Sequence, residues 1–274
     1  MAEPSHNRIR LVAVDLDGTL LNDSKRVSER TVNALKGLPQ SGVRLVLASA
    51  RPPRSVRHVY AELGLDTWQI NYNGALVWDE AAGRAVYHQP MEADVVLRLV
   101  ALAREAHPNV LVSCEILDRW CTDRLDETYT TETGRLFGPD VVAPVEQFCT
   151  GPVTKLMFLG DAAVITSLEP LVRQAESRVS VIRGEPNLIQ VMDSAASKGA
   201  ALRRVCEHYG VGRGESMAIG DAVNDIPMLR AAGVAVAMDN AHPAVKRVAD
   251  WVAPSNNDHG VHAALERYGV GRHH

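Results

Sequence analysis

Apolar residues fall along this chain in two alternating rhythms. Short continuous runs at residues 11–14, 43–48, 216–219 and 234–238 read as strands buried on both faces, since a strand covered by helices on each side has no polar side to show. Between such runs the period lengthens. Val56, Val59, Tyr60 and Leu63 recur at i, i+3, i+4 and i+7, one apolar helix face that Gly64 is placed to end. Helices are also predicted around 28–38, from 197 to about 209, after Asp225 where Pro227 suits a first turn, and near the end of the sequence. The alternation predicts an α/β fold: a doubly wound, Rossmann-like parallel sheet.

In the middle of the chain the grammar changes. A helix at 91–106 with Val95, Leu99 and Leu102 on one side, strands at 110–114 and 153–159, a helix at 163–177 and a strand at 179–183 leading back to the first domain predict a mixed α+β insertion. The division expected is a core of 1–85 with 186–274 and an insert of 86–185. There is no internal repeat and no low-complexity segment.

At 274 residues, 46% hydrophobic and 23% charged, the chain can bury one large core or two modest ones. A net charge of −4 gives no reason to expect nucleic acid or an anionic membrane as partner, and the oligomeric state is open. Cys114, Cys121, Cys149 and Cys206 form neither a CxxC pair nor a zinc spacing and read as reduced thiols. The first ten residues lack the apolar segment of a signal peptide, and no run approaches the ~18 apolar residues of a membrane span, so a cytoplasmic location is expected. His273 and His274 are too few for a metal site.

The chemistry sits where two apolar runs stop. Asp15 and Asp17 fall at the carboxyl end of the first strand, the edge at which open parallel α/β sheets bind ligands. Such a pair repels itself unless a cation or a shared proton intervenes, and Gly18 lets the chain turn so that both face one pocket. The first candidate is a hard cation, Mg2+. Taken alone, Asp-x-Asp-Gly is also a turn or helix-entry sequence. The second run, however, breaks at Gly220 into another acid pair, Asp221 and Asp225.

With both acid pairs in view, the chain resembles the Cof-type sugar-phosphatase branch of the haloacid dehalogenase superfamily. Asp15 to Leu21 match its first motif, D-x-D-G-T-L-L, in full. The second, usually Thr-Gly-Arg-Pro after a strand, is Ser49-Ala50-Arg51-Pro52, so a serine replaces the threonine and Ala50 brings a methyl group where the family has glycine. Lys198 in Ser-Lys-Gly is the third, and Gly220, Asp221, Asn224 and Asp225 match the fourth, G-D-x-x-N-D. Asn73-Gly74-Ala75 and the 237–241 segment add to the likeness, with Asp239 where glycine is more usual. It runs from about Arg10 to about Tyr268.

The resemblance implies Asp15 as nucleophile and Mg2+ ligand, and Asp17 as general acid and base that also offers its main-chain carbonyl to the metal. Asp221 would supply a carboxylate to Mg2+ and Asp225 would support it; a helix N-cap is the plain alternative for Asp225. Ser49, Lys198 and Asn224 would hold the phosphoryl group, although Lys198 by position alone reads as a solvated helix-start lysine. Arg51 either touches substrate or pairs with an acid. Asn73 and Gly74 read as a turn that the resemblance puts near the pocket, and the insert would be a mobile cap. The function expected is a Mg2+-dependent phosphatase for small phosphorylated metabolites, sugar phosphates first, through a phospho-aspartyl intermediate. A phosphotransferase or phosphomutase shares this chemistry. An aspartate-phosphorylated regulator fits less well, since it has no use for Asp17 or a large insertion.

Overall fold

The computed structural model describes residues 8–129 and 131–271; His273, His274 and the first seven residues lie outside them. In chain order the strands are β1 (Leu11–Asp15), β2 (Arg44–Ala48), β3 (Gln69–Asn71), β4 (Leu76–Asp79), β5 (Arg84–His88), β6 (Leu111–Ile116), β7 (Arg119–Thr122), β8 (Val141–Val142), β9 (Lys155–Leu159), β10 (Val179–Glu185), β11 (Leu188–Asp193), β12 (Ser216–Gly220), β13 (Val234–Met238) and β14 (Trp251–Ala253). The chain divides into two compact units, one up to Val86 and again from Ser197, the other Tyr87–Ala196.

The first unit is built on one sheet, ordered β14-β13-β12-β1-β2-β3-β4-β5. Its centre is β1, buried at all five residues and parallel to both neighbours, with Leu11 opposite Arg44 on one side and Ser216 on the other. Register therefore sets the ends of β1, β2 and β12 side by side: Asp15 pairs with Ala48, and Val14 with Ile219, one residue before Gly220. Helices flank the sheet as the periodicity requires. Glu29–Gly37 starts on the Ser28 side chain, which accepts from the Thr31 amide, and Pro53–Leu63 buries Val56, Val59, Tyr60 and Leu63 before ending on left-handed Gly64. Beyond β3 the sheet departs from the parallel expectation, because a turn at Tyr72–Gly74 reverses the chain into antiparallel β4.

The second unit is a six-stranded sheet, ordered β10-β11-β9-β6-β7-β8, with helices Ala93–Ala106 and Ala162–Ala175. Val95, Val96, Leu99 and Val100 of the first helix and Ile165, Leu168 and Val172 of the second are buried with Val112, Cys114, Phe158, Ile189 and Val191 of the sheet. Leu102 is only partly buried; Ala103 takes its expected place on the apolar side. The return expected at residue 186 is displaced to Ser197. The 179–183 strand does not lead back to the first unit: the chain doubles back after Glu185 and adds β11 between β10 and β9, putting Ile189 and Val191 in the insert's own core. Among the described residues no helix is long and apolar enough to cross a membrane.

Candidate active site

Three carboxylates meet at the carboxyl edge of the first unit's sheet. Asp15 ends β1, Asp221 follows β12, and Asp225 closes the turn after it; each offers an oxygen within 4.8 Å of the others. Two close approaches make this possible. At Gly18, with φ +78°, a Cβ would stand 2.9 Å from Cγ of Asp221, so only glycine lets the Asp15 loop turn against that carboxylate. Thr19 then donates its hydroxyl to Asp221 Oδ1 at 2.6 Å.

Lys198 completes the group from a distant part of the sequence. It is the first residue of helix Lys198–Tyr209, whose start is fixed by Ser197 Oγ accepting from the Ala200 amide at 3.1 Å. A Cβ on Gly199 would run into the Pro227 carbonyl, so the bare glycine lets this helix start lie against the one after Asp225. The Lys198 ammonium donates to Asp15 and, at 2.6 Å, to Asp225 Oδ1. It is buried and ion-paired, not a solvated lysine.

Asp225 is wholly buried, and its side chain does not cap the helix that follows. Its Oδ2 instead accepts the Asp221 and Ala222 amides, both at 3.0 Å, folding the turn that carries Asp221. Gly220 leaves room for it.

Burial is the largest influence on Asp15, and together with the Asp225 charge it raises this carboxyl well above the ordinary range against the pull of Lys198. Asp221 is raised by burial too, with the Thr19 hydroxyl opposing. Burial alone would lower Lys198, yet Asp15 and Asp225 outweigh it and hold the ammonium above the usual lysine value. One ammonium against three carboxylates leaves an excess of negative charge among oxygen donors, a set that fits a hard divalent cation such as Mg2+.

Asp17 stands apart from this triad. Its carboxylate takes Arg51 Nε at 2.7 Å, the Arg51 terminal nitrogen at 2.6 Å and Lys25 Nζ at 2.6 Å. Burial would raise its pKa, but these hydrogen bonds and charges hold it below the usual value. Arg51 is thus paired with an acid, and only the main-chain carbonyl of Asp17 is left for the metal role that the resemblance implies.

The remaining expected residues form a connected rim. Asn224 donates to Asn73 Oδ1 at 2.7 Å. Asn73 has φ 55°, and Gly74, at φ 95°, lies where a Cβ would strike the Ser197 carbonyl, so this turn packs on the start of the Lys198 helix. Ser49 is buried; its amide donates to Ile70, its carbonyl accepts from Asn73 and its hydroxyl accepts from the Arg51 amide at 3.1 Å. Ala50 keeps an ordinary negative φ, so the methyl group imposes no strained backbone.

Sequence reasoning missed Thr19, Lys25, Asn240 and Asn256. Thr19 lies inside the first motif and was within reach. Asn240 donates to the Gly18 carbonyl at 2.7 Å and accepts from the Asn256 amide, while Asn256 donates to the Leu21 carbonyl, across separations that carry no local signal.

Residues 12–265 match the sequence pattern of haloacid dehalogenase-like hydrolases. The 5-amino-6-(5-phospho-D-ribitylamino)uracil phosphatase YitU of Bacillus subtilis is 30% identical over 268 residues, covering 94% of this chain and 97% of its own length. Phosphatase YwpJ of the same organism is 30% identical over 280 residues, covering 92% and 97%. A haloacid dehalogenase-like hydrolase from Bacteroides thetaiotaomicron superposes with a TM-score of 0.85 at 29% identity, over 95% of this chain and 99% of its own. The chain belongs to the haloacid dehalogenase-like hydrolase family.

Proposed function

We propose that this phosphatase hydrolyses small phosphorylated metabolites, sugar or polyol phosphates first among them, through a phospho-aspartyl intermediate on Asp15 and with Mg2+ as cofactor. The observation that carries the reading is the cluster of Asp15, Asp221 and Asp225, its two buried members Asp15 and Asp225 bridged by Lys198, beside the separate Asp17. The ribityl phosphate in the name of YitU supports the substrate class.

A phosphate monoester is a dianion that repels nucleophiles, so its charge must be neutralised before an in-line attack. Asp15, Asp221 and Asp225 would hold Mg2+, with the Asp17 carbonyl, and the ion supplies positive charge for that purpose when bound. Arg51 and Lys25 hold Asp17 ionised, so as substrate binds it exchanges part of these contacts for a proton from solvent. In the first step an Asp15 oxygen then bonds to phosphorus, the bond to the leaving oxygen breaks, and Asp17 delivers that proton to the leaving oxygen. In the second, Asp17 takes a proton from water as the water oxygen bonds to phosphorus, and the Asp15 acyl-phosphate bond breaks to release inorganic phosphate. Lys198, Ser49 and Asn224 offer charge and hydrogen bonds to the phosphoryl oxygens.

The test is a comparison of Asp15→Asn with Asp17→Asn on p-nitrophenyl phosphate and on an alkyl phosphate. Asp15→Asn should abolish acid-stable phosphate labelling of the protein and lower turnover of both esters by several orders of magnitude. Asp17→Asn should be milder on the activated aryl ester, which needs no protonated leaving group. Near wild-type turnover in Asp15→Asn would refute the covalent route.

A further inference from the structure

Lys25 is unused by the reaction as derived, yet its position is built. It has φ 58°, a left-handed conformation rare for a long side chain, in a turn closed by its own amide on the Asn22 carbonyl at 2.8 Å and by the Asn22 amide on the Arg26 carbonyl at 3.0 Å. The same turn is fastened to the far end of the unit. The Asp23 amide donates to Asn257 Oδ1 at 3.1 Å, and the Asp23 carboxylate accepts from Asn256 and Asn257 at 3.2 and 3.0 Å. A strained, doubly anchored backbone that aims one ammonium is a reason to look for a role in that ammonium.

Its target is Asp17 Oδ1, already bonded to Arg51, whose fork engages both oxygens of the carboxylate. One guanidinium matches one carboxylate, so Lys25 is a further cation on Asp17. The two cations differ in freedom: the Arg51 side chain is 12% exposed and that of Lys25 is 53%. Lys25 is the one able to swing to a solute while Arg51 keeps Asp17 in place.

Accepting the reading of Asp17 as proton donor to the leaving oxygen, we infer that Lys25 is a specificity residue that receives a second anion of the substrate. Its ammonium lies two hydrogen bonds from that oxygen, on the order of 5 Å, which suits a carboxylate about two bonds from the ester oxygen or, with the exposed Lys25 side chain swung outward, a second phosphate about five bonds from it. Esters carrying such a group exchange the Asp17 contact of Lys25 for one of their own, a charge-assisted hydrogen bond that esters without a second anion lack.

The test uses matched esters with the full-length protein and Mg2+: 2-phosphoglycolate against ethyl phosphate for a carboxylate, and propane-1,3-diyl bisphosphate against 3-hydroxypropyl phosphate for a second phosphate. The wild type should favour the partner carrying the second anion in at least one pair by about tenfold or more in kcat/KM, the reach of one charge-assisted hydrogen bond. Lys25→Met should bring that ratio towards one, whatever happens to the rates in common, and Lys25→Arg should keep it. Added NaCl should erode the wild-type ratio, a measurement that stands even if the Met variant folds poorly. A wild-type ratio at or below one in both pairs overturns the inference. So does an unchanged ratio in Lys25→Met, which would make Lys25 only a positioning residue for Asp17. If neither these esters nor p-nitrophenyl phosphate turns over, the phosphatase mechanism itself falls and takes the inference with it.

Discussion

Lys198 Nζ lies 2.6 Å from Oδ1 of Asp225, both side chains without solvent exposure. An ion pair this deep cannot be broken from one side without leaving a bare buried charge. Lys198→Met should therefore destabilise the metal-free protein by about 3 kcal/mol or more, measured by urea unfolding. Joining it to Asp225→Asn should recover part of the loss. A double variant no better than Lys198→Met alone would show that the two charges are not coupled.

Asp15 and Asp221 also set a pH dependence. Both carboxyls are raised above the ordinary value of 3.8. A group raised on folding adds stability that is complete below the unfolded pKa and is lost as pH climbs through the folded one. Without metal these two should thus cost stability above about pH 4, and Mg2+, which binds their ionised form, should return it. The rise in Tm on adding MgCl2 should be larger at pH 7.5 than at pH 5; an equal rise at both would exclude these carboxyls as the ligands.

Two glycine substitutions separate close packing from backbone freedom. In Gly199→Ala the new methyl group meets the Pro227 carbonyl, which should cost about 1 to 3 kcal/mol and depress activity by shifting Lys198. Gly37→Ala, in a helix with open space around the position, should be neutral or stabilise by up to about 1 kcal/mol. Thermal melts of the pair decide it.

Burial pushes Cys149 and Cys206 up to about 11, and Cys114 well above its usual range. None of the four cysteines is in a disulfide, and all are buried. At pH 8 the native protein should react with a thiol reagent such as Ellman's far more slowly than the urea-unfolded chain, since the thiolate is the reacting form. Rapid reaction of a native cysteine would contradict the packing around it.

What could be read in the sequence is what repeats locally. The runs that became β1, β2, β12 and β13, and the face of Val56, Val59, Tyr60 and Leu63, each announce themselves within a few residues. Strand β11 does not, because it follows β10 after one tight turn and its apolar residues look like the approach to the next domain; hence the boundary at 186 fell short of Ser197. The short β3 and β4, on either side of the Asn-Gly turn, and β5 after Gly83 gave no such local signal. Within the site, family likeness brought Asp15, Lys198 and Asp221 onto one list. The partner of Arg51, the grip of Asp225 on the Asp221 amide and the presence of Lys25 were decided by contacts through space.

The place of β1 in its sheet bears on how the molecule is made. Leu11 is paired with Arg44 on one side and Ser216 on the other, so a ribosome delivers the first neighbour early and the second only after the whole insert has emerged. By then every strand of Tyr87–Ala196 is available to itself, while Leu11–Asp15 still shows an open apolar edge. A nascent chain halted before residue 216 joins a completed insert to a central strand bare along one edge, which is a template for sticking to its own kind. Yield in the cell should accordingly depend on the speed of translation through the C-terminal strands.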